Sequence, residues 1–177
     1  MLDKVWMEQQ LSQLPLLQYG FLTPQELVFT ERVRHVCEKE CPMYNTSWAC
    51  PPAVGTVEEC QRRCMEFPEL LVMTTITEVA DIENLELTLA TRPEHEAITH
   101  EVEHLFHRQN CDTMVLSTES CAVCARCAWP DGPCRHPEKM YPCVESHGIL
   151  VTDLAEKFGM DFFNGNYVTW FSLIFFR

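Results

Sequence analysis

The stretch "SCAVCARCAWPDGPCRHP" (120–137) sets Cys121, Cys124, Cys127 and Cys134 within fourteen positions. The first three thiols stand two residues apart, and Pro133 directly precedes the fourth. Proline fixes the backbone and removes a donor. With Pro130 also present, the stretch reads as a stiff loop built around its thiols, and any fold this chain adopts must carry that loop. A second group, "CEKECPMYNTSWACPP" (37–52), spaces Cys37, Cys41 and Cys50 as C-x3-C-x8-C, with proline directly after the last two. Cys60 and Cys64 follow at i, i+4 on a predicted helix and so share one of its faces.

What the thiols do depends on where the chain resides. There are eleven cysteines, an odd number, and they cluster. The N-terminus "MLDKVWMEQQLSQL" has acids and glutamines where an export leader carries basic and then apolar residues. These features predict a cytoplasmic protein whose cysteines hold metal rather than disulfides. The longest apolar run, "VTWFSLIFF" (168–176), is too short to span a bilayer, so no membrane insertion is expected. Thirteen basic and twenty-six acidic side chains give a formal charge of −13. That field repels nucleic acid and favours partners with a basic face.

The spacing then discriminates among metals. Structural zinc sites are built from two ligand pairs, each separated by two to four residues. A C-x2-C-x2-C run fits that plan poorly and fits a cubane 4Fe–4S cluster well: three thiolates wrap three corners, and a fourth arrives from further along the chain, beside proline. Cys134 is the simplest fourth ligand, with Cys143 in "YPCVESHGI" as its competitor. In the first group, Cys37, Cys41 and Cys50 lack a fourth partner in their own loop. Cys60 is the nearer candidate and Cys64 the alternative. If neither ligates, one iron stays open and can take a substrate. The radical SAM spacing is not met, because Cys50 lies too far along. Cys111, alone before a strand, reads as a buried structural residue.

Periodicity predicts the scaffold. Residues 3–14 read as a helix ending at Pro15, and "ELVFTERVRHV" (26–36) alternates like a half-buried strand. Thr56 with Glu59 forms a capping-box signature for a helix over about 56–67. "ELLVMTTIT" (69–77) reads as a buried strand. Alternation of Leu85, Leu87 and Leu89 suggests a short strand. Thr91, Pro93 and Glu94 open a helix to about Gln109, and "DTMVLST" (112–118) is a strand that delivers the chain into the second cysteine group. A helix over about 152–158 stops at Gly159, Gly165–Asn166 turns the chain, and the final apolar run is the last strand. This predicts one domain over 1–177 with an α/β or α+β fold: a single sheet, flanking helices and two cysteine-rich metal-binding loops at strand ends, 37–64 and 121–143.

"HEVEH" (100–104) matches the zinc-peptidase signature H-E-x-x-H. The predicted helix argues against it. Its apolar face is Ile98, Val102, Leu105 and Phe106, and His100 and His104 point almost opposite, towards water. His95 and His107 are expected on the same polar surface.

Three segments together, "CEKECPMYNTSWACPP", "CAVCARCAWPDGPCRHPEKMYPCVESHGILV" and the tail "NGNYVTWFSLIFF", resemble a family of predicted metal-binding proteins, domain-of-unknown-function family 2284, from about Val28 to Phe176. The resemblance implies a cysteine-rich metal site, iron–sulfur in character, in proteins typical of anaerobes, and carries over Cys37, Cys41, Cys50, Cys121, Cys124, Cys127 and Cys134. It implies no reaction. The reading that follows is an iron–sulfur protein with two 4Fe–4S clusters on Cys37, Cys41, Cys50, Cys60 and on Cys121, Cys124, Cys127, Cys134. It carries electrons to or within a redox partner or enzyme of anaerobic metabolism, and the negative chain lowers the cluster potentials. The alternatives are a zinc-stapled interaction module, an enzyme using an open iron at the first site, a cluster carrier, and, least of all, a peptidase through HEVEH.

Overall fold

The computed structural model describes residues 2–159 and 165–177. Asn164, which opens the tail motif, lies outside them. Among these residues four strands pair throughout antiparallel in one sheet: β1 (Gln18–Leu22), β2 (Glu69–Glu78), β3 (Thr113–Leu116) and β4 (Tyr167–Phe176), in the order β1-β2-β4-β3. Among the described residues six α-helices flank it: α1 (Lys4–Leu11), α2 (Glu31–Glu40), α3 (Val57–Cys64), α4 (Leu85–Ala90), α5 (Arg92–Arg108) and α6 (Val151–Phe158). Antiparallel pairing resolves the expected class to α+β. Among the described residues no helix is long and apolar enough to cross a membrane.

The two ten-residue strands β2 and β4 form the centre and pair over their full length. Alternation splits their side chains between two faces. Leu70, Val72, Leu173 and Phe175 meet α3 and α6 through Cys64, Val151 and Leu154, with Phe67 between them. Leu71, Met73, Ile174 and Phe176 meet α1 and α5 through Met7, Leu11, Ile98, Val102, Leu105 and Phe106. Both faces are covered, which is why these strands read as continuous apolar runs. The predicted apolar face of α5 is the observed one.

Several expectations need correction. The alternating segment 26–36 is extended only near Phe29, which bridges Ile149. From Glu31 it is helical, because the Thr30 hydroxyl accepts the Arg32 N–H and caps α2. The first cysteine group therefore begins on a helix, not after a strand. The alternating leucines form α4 rather than a strand: Asn84 Oδ1 accepts from the N–H groups of Glu86 and Leu87. Thr91 closes α4, so its hydroxyl donates to Thr88 O instead of capping α5. Strand β1 is an addition. It is short and includes Gly20, where a Cβ would overlap the Phe158 ring. The capping box of Thr56 and Glu59, the left-handed stop at Gly159 and the turn at Gly165–Asn166 are as expected.

His95 is not on the surface. It is 1% exposed, its Nδ1 2.8 Å from Thr75 Oγ1 and its Nε2 2.8 Å from Ser172 Oγ. Burial, with some repulsion from Arg92, lowers its pKa to about 4 from the ordinary 6.5. The folded state therefore favours neutral His95, and that contribution is complete above pH 6.5 and lost as pH falls towards 4. Urea unfolding of the protein should lose roughly 3 kcal/mol from this group across that window. His95→Gln should be less stable at pH 7 and should reduce the pH slope by about one proton. An unchanged slope would place the titration elsewhere.

Candidate metal centres

The first cysteine group starts on the last turn of α2, which carries Cys37, and Cys41 caps its end. Residues 42–55 then run as consecutive turns. Asn45 N–H donates to Pro51 O at 2.7 Å, Cys50 N–H to Ser47 O at 3.2 Å and Gly55 N–H to Pro52 O at 3.0 Å. These bonds fold Cys50 back beside α2. A fourth thiol arrives from the far end of the second group. Cys143 pairs with Ser117 in a parallel bridge: Ser117 N–H donates to Pro142 O at 2.8 Å and Val144 N–H to Ser117 O at 3.0 Å. Cys37, Cys41, Cys50 and Cys143 line one cavity of about 490 Å³. Burial pushes Cys37 up to about 11, raises Cys50, and raises Cys143 well above the ordinary thiol range. These thiols are neutral in the metal-free chain, and metal binding must displace their protons.

Arg34 holds this corner. It is 7% exposed, and its guanidinium donates to Gly55 O and to Ser146 O, with Cys60 Sγ 3.7 Å away. Cys60 and Cys64 are both fully buried on α3 and line neither cysteine cavity. Cys60 donates to Val54 O and lies 3.2 Å from Arg63 Nη2. Cys64 packs in the sheet's core, where burial raises it to about 12. The fourth thiol of the first cavity is thus Cys143, not Cys60. In the sequence it stood as a competitor for the other group, and its one local signal is Pro142, which precedes it as Pro133 precedes Cys134. Cys111 is half-buried against the α1–α5 core.

The second group keeps its sequence order. Cys121, Cys124, Cys127 and Cys134 line a separate cavity of about 260 Å³, together with Arg126, Arg135 and His136. The loop is tied internally: Gly132 N–H donates to Ala128 O at 2.9 Å, Arg135 Nη1 to Arg126 O at 2.8 Å, and Trp129 N–H reaches Cys127 Sγ at 3.5 Å.

The two loops also hold each other. Trp48 of the first donates from Nε1 to Gly132 O, and Trp129 of the second donates from Nε1 to Asn45 Oδ1, each at 2.9 Å. The indoles meet edge-on, centroids 4.7 Å apart. Met43 lines both cavities, so one side chain is a shared wall. Among the described residues, no three His, Cys, Asp or Glu side chains converge to hold a single metal ion.

On α5, the H-E-x-x-H pair is divided. His104 is exposed, whereas His100 Nδ1 is bonded to the Tyr141 hydroxyl. That hydroxyl donates to Glu103, whose other oxygen accepts from Thr113 Oγ1 at 3.0 Å. Glu103 and Tyr141 anchor the end of the second cysteine loop to α5. Glu101, the general base of a peptidase reading, is exposed.

The chain belongs to the family of predicted metal-binding proteins, DUF2284, whose family model matches residues 20–176. No curated protein and no solved structure matches it. The family description extends to metal binding, and a chain with eleven cysteines is consistent with it.

The reciprocal tryptophan bonds predict that the loops stiffen one another. Amide exchange should be about tenfold faster in residues 121–134 when Trp48→Ala is made in the other loop, and likewise in residues 41–55 for Trp129→Ala. Effects confined to the mutated loop would show the two to be independent.

Proposed function

We propose that this member of the family is an iron–sulfur electron carrier with two 4Fe–4S clusters, one held by Cys121, Cys124, Cys127 and Cys134, the other by Cys37, Cys41, Cys50 and Cys143. The observation that carries this reading is the division of eight thiols into two quartets, each lining its own cavity, with Met43 common to both. A single tetrahedral zinc needs its sulfurs about 3.8 Å apart around one point, given bonds of about 2.3 Å. Thiols distributed around cavity walls suit a larger inorganic core.

A 4Fe–4S cluster supplies one-electron exchange when bound. The chain's own residues do the rest. Backbone N–H groups face two thiols, Ser146 towards Cys143 at 3.3 Å and Trp129 towards Cys127 at 3.5 Å. Such bonds stabilise thiolate charge and raise a potential. Charge separates the two sites. Arg126, Arg135 and His136 line the second cavity, whereas Glu119 and Glu145 line the first. Cations favour the more negative, reduced state, so the second site is the higher in potential and electrons run from the first to the second. The formal charge of −13 favours a partner with a basic face, a redox protein or a larger enzyme of anaerobic metabolism.

Anaerobic purification with iron, sulfide and zinc counts tests the reading. The expected content is about eight irons and eight sulfides per chain, in a brown protein. Cys143→Ala should lower the iron count by up to about four, as should Cys124→Ala, whereas Cys60→Ala should keep it. About two zincs, no sulfide and no colour would replace electron transfer with a zinc-stapled interaction module. Loss of iron from Cys60→Ala but not Cys143→Ala would overturn the ligand assignment.

A further inference from the structure

The two cysteine cavities differ in size. The first, at about 490 Å³, is nearly twice the second, at about 260 Å³. Two like clusters require like volumes, so the first cavity has room for something more; the inference rests on the two-cluster reading in this respect. Its size is that of small-molecule sites, which are mostly apolar with a few placed polar groups. Much of the remaining lining fits that description: Val36, Ile82, Tyr167, Val168 and Trp170 line the cavity. Val36, Ile82 and Tyr167 are 52%, 39% and 40% exposed, so part of this apolar lining faces solvent.

The lining also limits the charge of an occupant. No Lys, Arg or His lines this cavity among the described residues, and Glu119 and Glu145 do. Carboxylates beside four metal-bound thiolates repel an anion. Glu119 is held with φ at +56°, a left-handed conformation uncommon outside glycine and enriched at ligand sites.

One buried polar residue of this lining ends a chain of bonds. Thr75 Oγ1 lies 2.8 Å from His95 Nδ1, His95 Nε2 lies 2.8 Å from Ser172 Oγ, and Ser172 Oγ donates to Ser117 Oγ at 3.1 Å. Ser117, 1% exposed, lines the cavity. Its oxygen accepts from Ser172, so its own O–H remains to donate. We propose that this cavity binds a small, uncharged, largely apolar organic molecule with one hydrogen-bond acceptor, seated beside the first cluster against Tyr167 and Trp170, with its acceptor on Ser117.

Fluorine NMR titration of the anaerobically purified protein tests this with three probes of one shape: 4-fluoroacetophenone, 1-ethyl-4-fluorobenzene and 4-fluorobenzoate. The ketone should bind saturably, the hydrocarbon about tenfold more weakly for want of the hydrogen bond, and the carboxylate more weakly still. Ser117→Ala should weaken the ketone about tenfold and leave the hydrocarbon unchanged. Ile82→Trp, which fills part of the cavity, should abolish binding of both with iron and sulfide unchanged. Equal binding of carboxylate and ketone, wild-type affinity in Ile82→Trp, or no saturable binding in a preparation with full metal counts would each overturn the proposal. Iron and sulfide are counted on the same samples. Counts short of two clusters would refute the cluster reading, and the ketone titration on that preparation would decide the cavity separately.

Discussion

Arg34 is the cation on which the cysteine end of the molecule depends. It is buried, and its Nη1 and Nη2 donate to two backbone carbonyls far apart in the chain, Gly55 and Ser146, while its Nε has no partner among the described residues. Hydrogen bonds to a charged group are among the stronger ones available to a protein, about 1.5–3 kcal/mol each. They do more here than stabilise. Gly55 closes the loop that carries Cys50, Ser146 stands three residues beyond Cys143, and Arg34 itself stands one turn before Cys37. A single side chain therefore sets the relative positions of three of the four thiols around the first cavity. The contacts of residues 28–30 with 148–150 reinforce the arrangement: Thr30 N–H donates to Gly148 O at 2.8 Å and Leu150 N–H to Val28 O at 2.9 Å.

The same geometry accounts for Cys60. A thiol at that position looks like a ligand in one dimension, because it follows Cys50 by ten residues. In space it lies against Arg34, Arg63 and the Val54 carbonyl and lines neither cysteine cavity. Burial still raises its pKa despite two nearby guanidinium groups. A neutral thiol bonded to a carbonyl behaves as a small core residue.

What was legible in the sequence follows from the range of the interactions involved. Elements set by local signals could be read directly: the capping box at Thr56, the left-handed stop at Gly159, the apolar face of α5, and the apolar runs of β2 and β4. That Cys121, Cys124, Cys127 and Cys134 share one short loop was equally legible, and all four line one cavity. Long-range pairing was not. Strand β1 exists because β2 offers an edge, and its own five residues with Gly20 among them carry little signal. His95 was expected on the polar surface, yet it stands one turn before Ile98 and two before Val102 on the buried face of α5, where Thr75 and Ser172 of the two central strands supply its partners. The membership of Cys143 in the first cavity depends on a two-residue pairing with Ser117, which no spacing rule encodes.

That pairing gives the two sites a shared structural origin. Cys143 is the last residue of the second cysteine group and a wall of the first cavity, while Ser117, its partner, directly follows β3, the strand that launches the second loop. The chain leaves the sheet at Ser117, builds one quartet, and returns to the same residue to complete the other. The loop between is anchored at its return by Tyr141 on Glu103 and at its tip by Trp129 on Asn45. Displacing the second loop would therefore pull Cys143 from the first quartet, and opening the first loop would release Trp129. Neither quartet is a module that can be lifted out by itself. Assembly of one site favours assembly of the other through backbone and indole contacts alone, before any metal contributes. The sheet supplies the fixed point for both, because Ser117 is held from behind by Ser172 on the central strand β4.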